Sequence, residues 1–368
     1  MSTGFVWHEK YMWHHNGPAT GLHNTRGSYQ PGVHLENAET KRKLKNLLDA
    51  YEVTPQLASI TPVVATDETL GRFHTAQYIA NVQRLSDQQG GDAGDGALVG
   101  PGSAEIARLA VGGCVAAVQQ VMSGTLSNAY VLARPPGHHA ERDKGRGFCI
   151  FGNVALSILE AQAKGSVGRV AVVDWDVHHG NGTQQAFYDS NEVLTISMHQ
   201  EMLYPVNMGK HSEQGEGAGH GYNLNIPLPA GSGGGAYLAA MDDVVLPALH
   251  AFKPDLIVVA CGFDACYFDP LSHMLLVANH YRAMTQRVMQ AADELCGGRL
   301  VASHEGGYCD FYVPFCGVAV IETMAQITSG VQDPYAGTEY VANQDLMPHQ
   351  REYINAAVNG PLVAVLGN

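Results

Sequence analysis

Residues 169–183 read RVAVVDWDVHHGNGT: an apolar run over 170–173 that gives way at Asp174 to carboxylates, imidazoles and glycines. A run apolar at every residue, instead of every second one, suits a parallel strand buried on both faces. Residues 129–134, 193–199, 255–264 and 299–305 share this form. Between these runs, residues 104–122, 153–164, 236–252 and 278–296 are long and rich in Ala, Leu, Met and Gln, as crossover helices are. The alternation predicts an α/β fold, a central parallel sheet with helices on both faces. Two Gly-rich stretches, 89–102 and 207–235, read as structured surface loops and not as linkers, because the same pattern continues on both sides.

Ligands of open parallel sheets bind beyond the carboxyl ends of the strands, so the residues closing each run should converge. Those residues are RPPGHH (134–139), DWDVHHG (174–180), MHQ (198–200), GFDA (262–265) and HEGGY (304–308). If the second strand runs on through Asp174, Asp176 and His178, its two-residue period puts all three on one face. With Asp264 arriving from another strand, two oxygens and one nitrogen could hold a divalent cation and leave a place for water, a catalytic zinc pattern. Any one of these groups alone reads as a loop residue or a buried hydrogen-bonded polar group; five strand ends carrying them together point to a site. His138 and His139 follow a Pro-Pro-Gly turn that fixes their backbone. Beside a metal-bound water of pKa near ~7, an imidazole of pKa ~6.5 is matched to move a proton, with Asp174 available to orient one ring. Tyr308 follows two glycines that let its phenol swing toward the metal, where it could stabilise an oxyanion.

Composition narrows the partners. With 21 Lys and Arg against 35 Asp and Glu, the formal charge is −14, which repels phosphate backbones and argues against nucleic acid. No apolar stretch is long enough for a membrane span, and Trp7, His8 and Glu9 stand where a signal peptide would be apolar. A cytoplasmic location is expected. Seven cysteines without a Cys-x-x-Cys pair read as reduced, mostly buried thiols.

Taken together, RPPGHH, GFC (147–149), DWDVHHGNGT (174–183), GFDA and EGGY resemble the histone deacetylase family of zinc amidohydrolases, in order and in spacing. The resemblance runs from about Val6 to about Glu322. The segment YVPFCGVAVIE (312–322) is most similar to the bacterial, class II histone deacetylase-like amidohydrolases. It implies the arginase/deacetylase-type fold with long loops forming a channel, Asp176, His178 and Asp264 as ligands of one zinc, and His138 and His139 as the paired catalytic histidines. Asp174 would pair with His138, and Tyr308 would be the transition-state tyrosine. Gly147, Phe148, Tyr204 and Leu271 would line the substrate channel. A structural potassium would lie at Asp174, Asp176, His178, Ser197 and Met198, and a second at Phe187, Ser190, Val193 and Tyr222. Three positions depart from, or sort within, the family pattern. Asn181 stands where class I members have aspartate, an exchange shared by class II; residues 36–39 (ENAE) replace a His-Pro; Tyr308 is intact where class IIa members carry histidine.

The related arginase-like ureohydrolases bind two manganese ions through carboxylates that would fall at Gly180 and Cys266 here, so a dinuclear site is disfavoured. An acetylpolyamine amidohydrolase ranks second, because the loop at 21–34 looks closer to the class II group. A non-catalytic acyl-lysine binding module ranks third, because every catalytic position holds a competent residue. The expectation is one catalytic domain over residues 1–368 that hydrolyses an acyl amide on a lysine-like amine through metal-activated water. Its partner would be an acetylated lysine peptide or a small acylated amine, with no nucleic acid and no membrane. Natural substrate, acyl preference and oligomeric state stay open, as does the role of residues after about Gly330.

Overall fold

A computed structural model of the protein describes residues 2–17, 32–340 and 344–367. Among them, eight strands form one parallel sheet: β1 (Thr3–Val6), β2 (Ala58–Ile60), β3 (Asn128–Val131), β4 (Val170–Asp174), β5 (Val193–Gln200), β6 (Asn223–Leu228), β7 (Leu256–Cys261) and β8 (Leu300–His304). Their order across the sheet is β6-β5-β4-β7-β8-β3-β1-β2.

The unbroken apolar runs have the predicted cause. Along β4, Ala171 and Val173 enter one core while Val170 and Val172 enter the other; along β7, Ile257, Val259 and Cys261 divide from Leu256 and Val258 in the same way. Helices Ser103–Met122 and Asn153–Ala163 cover one face, placing Ile106, Leu109, Val118, Val154 and Ile158 on it. Helices Ala278–Cys296 and Val313–Ala325 cover the other with Tyr281, Met284, Val288, Val320 and Ile321. The predicted helix at 236–252 is present with an altered middle: Gly234–Ala240 and Leu246–Phe252 are joined by a wider π turn, Met241–Val245.

One expectation needs correction. The stretch 207–235 is not loop throughout, because it contains β6. Asn223 and Asn225 are buried and their amides donate to Gln184 Oε1 at 2.8 and 2.9 Å, while Leu224, Ile226 and Leu228 enter the core. The short strands β1 and β2 also went unread. The residues after Gly330 have a structural role: helices Pro348–Asn359 and Pro361–Leu366 pack on β6, adding Ile354, Ala357, Leu362 and Val365 to the core that holds Leu224, Ile226 and Leu228. Residues 21–31 of the loop used to rank the polyamine reading lie outside the described residues. No helix among the described residues is long and apolar enough to cross a membrane. All seven cysteines are free and buried.

Candidate active site

The strand β4 stops at Asp174, so Asp174, Asp176 and His178 do not share a strand face. Asp174 Oδ1 accepts the Asp176 backbone N–H at 3.0 Å, and Asp176 Oδ1 accepts that of His178 at 2.9 Å. Carboxylates that capture the N–H two residues on pull the chain out of the ladder and into a turn. Asp174 then points its Oδ2 at His138 Nδ1, 2.9 Å away. Asp176 and His178 turn toward Asp264, which follows β7: His178 Nδ1 lies 3.1 Å from Asp176 Oδ1 and 3.0 Å from Asp264 Oδ2.

Asp176, His178 and Asp264 are buried, and each offers a ligand atom within 4.8 Å of the others. Backbone donors hold the two carboxylates in place, Gly306 N–H on Asp176 Oδ2 and Val177 N–H on Asp264 Oδ1, both at 2.8 Å. At Gly306 a Cβ would stand 2.1 Å from Asp264 Oδ2 and 2.6 Å from Asp176 Oδ2, so only glycine lets this backbone close over the site. Burial alone would lower the basicity of His178, but Asp264 and Asp176 raise its pKa to about 10. The protein part of the site is short of positive charge, a deficit that a dication would fill in place of a proton. One imidazole nitrogen and two carboxylate oxygens are a donor set that zinc accepts.

The rings of His138 and His139 lie 4.0 Å apart, and His139 is 5.9 Å from His178. Their environments differ. Burial would lower the pKa of His138, yet Asp176 and Asp174 raise it to about 10. His139 has an amide partner, Asn181 Oδ1 at 2.8 Å; burial, then His138 and His178, push its pKa well below the usual imidazole value. Sequence reasoning gave Glu305 no role, but its Oε2 accepts the N–H groups of Gly137 (2.6 Å) and His138 (3.1 Å), anchoring the turn that presents both rings. Arg134, at the start of that turn, is buried against Glu36, with Nε 2.7 Å from Oε1. The ENAE segment thus carries a carboxylate that ties the N-terminal loop to the histidine turn.

A cavity of about 210 Å³ is lined by His139, Gly147, Phe148, His178, Leu203, Tyr204, Leu271 and Tyr308. It gathers all four expected channel residues with Tyr308 and adds Leu203, which the sequence reading missed. Phe148 has φ +70°, a conformation strained for a non-glycine residue and one that persists where the surroundings enforce it. Its ring stands edge-on to Tyr308 at 5.7 Å. Burial, then Asp264 and Asp176, raise the pKa of the Tyr308 phenol well above its ordinary value, so it keeps its proton. A larger surface cavity of about 480 Å³, which Arg72, Arg142 and Gln184 help to line, touches none of these groups beyond Asn181.

The expected potassium positions show the following neighbours. Strand register sets Asp174 opposite Ser197, with Met198 next along β5. For the second set, the Phe187 carbonyl accepts the Ser190 N–H and the Tyr222 carbonyl that of Thr195, each at 3.0 Å.

Fold and site together define an α/β protein of the arginase/deacetylase type. Over 98% of the chain the fold matches the crystal structure of the HDA15 HD domain, with a TM-score of 0.85, 31% identity and 94% of that chain covered. Residues 34–324 match the histone deacetylase domain. A Pseudomonas aeruginosa histone deacetylase-like amidohydrolase is 49% identical over 90% of this chain and 88% of its own. Histone deacetylase 8 of Arabidopsis thaliana is 37% identical over 90% of each chain, and a probable deacetylase of Archaeoglobus fulgidus is 34% identical over 91% of this chain and 89% of its own. The chain belongs to the histone deacetylase family.

Proposed function

We propose that the protein is a zinc-dependent deacetylase that removes acetyl or other acyl groups from lysine-like amines. One observation carries the reading: a single cavity of about 210 Å³ is lined at once by His178 of the buried Asp-His-Asp cluster, by His139, by Tyr308 and by apolar walls. An extended alkyl amine fits such walls, and its amide would reach the polar end.

Zinc held by Asp176, His178 and Asp264 supplies Lewis acidity toward the amide carbonyl and toward water. His139 is neutral in its buried setting, so its Nε2 can take a proton from the attacking water and return it to the leaving amine. His138, held through Nδ1 on Asp174, packs against the His139 ring and fixes its neighbour's place. Tyr308 donates its phenolic hydrogen to the carbonyl oxygen as that oxygen gains charge. Phe148 and Tyr204 grip the substrate stem and exclude water.

The same reading extends to one zinc per chain, structural potassium beside Asp174 and Ser197, a single catalytic domain and a cytoplasmic location. Turnover of an acetyl-lysine peptide measured against acetylputrescine tests it. Hydrolysis of the peptide with the higher kcat/KM is expected. Preference for acetylputrescine would move the reading to a polyamine amidohydrolase, and zero turnover by zinc-loaded protein on both would leave a binding module.

A further inference from the structure

We infer that Glu141 is a positioning residue for His139, acting through the amide of Asn181. The inference rests on the proposed reading for its kinetic consequence, and on hydrogen-bond geometry for itself. Asn181 Oδ1 lies 2.8 Å from His139 Nδ1; its Nδ2 lies 2.8 Å from Glu141 Oε1 and 3.4 Å from the His139 carbonyl. An amide side chain is ambiguous by shape, so its neighbours must orient it. A carboxylate and a carbonyl both only accept, which requires the NH₂ group to face them. The amide oxygen therefore faces His139, whose Nδ1 must carry the hydrogen. Nε2 is left with its lone pair, in the tautomer a proton acceptor needs.

Glu141 is suited to this task because cationic neighbours fix its position. Arg146 Nη1 donates to Oε1 at 2.9 Å, Lys144 Nζ lies 3.4 Å from Oε2, and Arg146 Nε reaches Asp95 Oδ2 at 3.1 Å. His138 has a carboxylate directly behind it, whereas His139 has one at a single remove, with a neutral amide between. That arrangement fixes the His139 tautomer without placing a charge against the ring. Glu141 directly follows the segment RPPGHHA, but its separation from Asn181 by 40 residues gives the sequence no local signal.

The test uses zinc-loaded full-length protein, with metal content and thermal midpoint recorded for each variant. Glu141→Leu removes the acceptor and keeps the bulk, so kcat on acetyl-lysine peptide should fall by about tenfold or more, with KM within about twofold. In Glu141→Gln a single amide oxygen can still accept from both Asn181 and Arg146, so most of kcat should return. Asn181→Asp sets two carboxylates face to face and should lose activity, and adding Glu141→Gln should restore part of it by giving the new carboxylate a donor. A Glu141→Leu variant with normal kcat, or a loss confined to KM through the neighbouring Phe148 turn, would overturn the role. A second readout needs no turnover. The long-range ¹H–¹⁵N spectrum should show His139, assigned by its loss in His139→Ala, as the Nδ1–H tautomer in wild type and as mixed tautomers in Glu141→Leu. An unchanged spectrum refutes the positioning role, whereas a shifted spectrum in a protein inactive on every amide refutes only the deacetylase reading.

Discussion

The carboxylate of Asp269 accepts the backbone N–H of Tyr308 through Oδ2 at 2.7 Å, tying the phenol's backbone to the loop that follows β7. Its other oxygen accepts the N–H of Leu271 at 2.9 Å, so one buried side chain sets both the tyrosine and a channel wall. In Asp269→Asn, one of those N–H groups must face an amide NH₂. A buried donor left unpaired costs about 1–3 kcal/mol, so kcat should drop by roughly 5- to 100-fold while zinc content stays at the wild-type level. Paired kinetics and metal analysis check this, and an unchanged kcat would make the contact incidental.

Tyr308→Phe removes one oxygen and keeps the ring. Because the hydroxyl acts on charge that develops only during reaction, kcat should fall by about 10² to 10³ with little change in KM, as for loss of an oxyanion donor elsewhere. Steady-state kinetics decide the point: a variant with near wild-type kcat would take Tyr308 out of the mechanism. Loss of bound zinc would make the residue structural instead.

Phe148→Ala opens one side of the slot. An acetyl-lysine stem has about four methylenes worth ~0.8 kcal/mol each when buried, so losing one wall should raise KM by roughly tenfold and weaken linear hydroxamate inhibitors in parallel. A normal KM with reduced zinc would reassign Phe148 to the structural core.

Acid stability should depend on Glu36. Burial opposes its charge, but Arg134 and Lys41 hold its pKa at about 2, below the ordinary 4.5. A depressed folded-state value stabilises the protein above the unfolded value and is lost as pH falls from about 4.5 toward 2, on the order of 3 kcal/mol in all. The thermal midpoint of wild type should therefore drop more steeply than that of Glu36→Gln between pH 5 and pH 3, and parallel curves would count against the ion pair.

The sheet was legible where burial on both faces left an unbroken apolar signature, as at residues 170–173. It was not legible at β6, where Asn223 and Asn225 pair with Gln184, a partner distant in sequence. The gathering of Asp176, His178 and Asp264 is legible in strand-end chemistry, but the geometry behind it is not. A period-two strand was expected, and the side-chain captures by Asp174 and Asp176 bend the chain instead. Glu305, Asp269 and Leu203 escaped notice because their roles rest on tertiary contacts with Gly137, Tyr308 and the cavity. No spacing rule encodes such contacts.

The central claim, a single zinc at Asp176, His178 and Asp264 that is required for amide hydrolysis, is tested most directly by elemental analysis of wild type and Asp264→Ala, with acetyl-lysine turnover measured on the same samples. The account predicts one zinc per wild-type chain, and loss of both metal and turnover in the variant, since two ligands cannot offset the charge and hydration a dication gives up. Two metals per wild-type chain, or an Asp264→Ala variant that keeps full zinc and normal turnover, would contradict it.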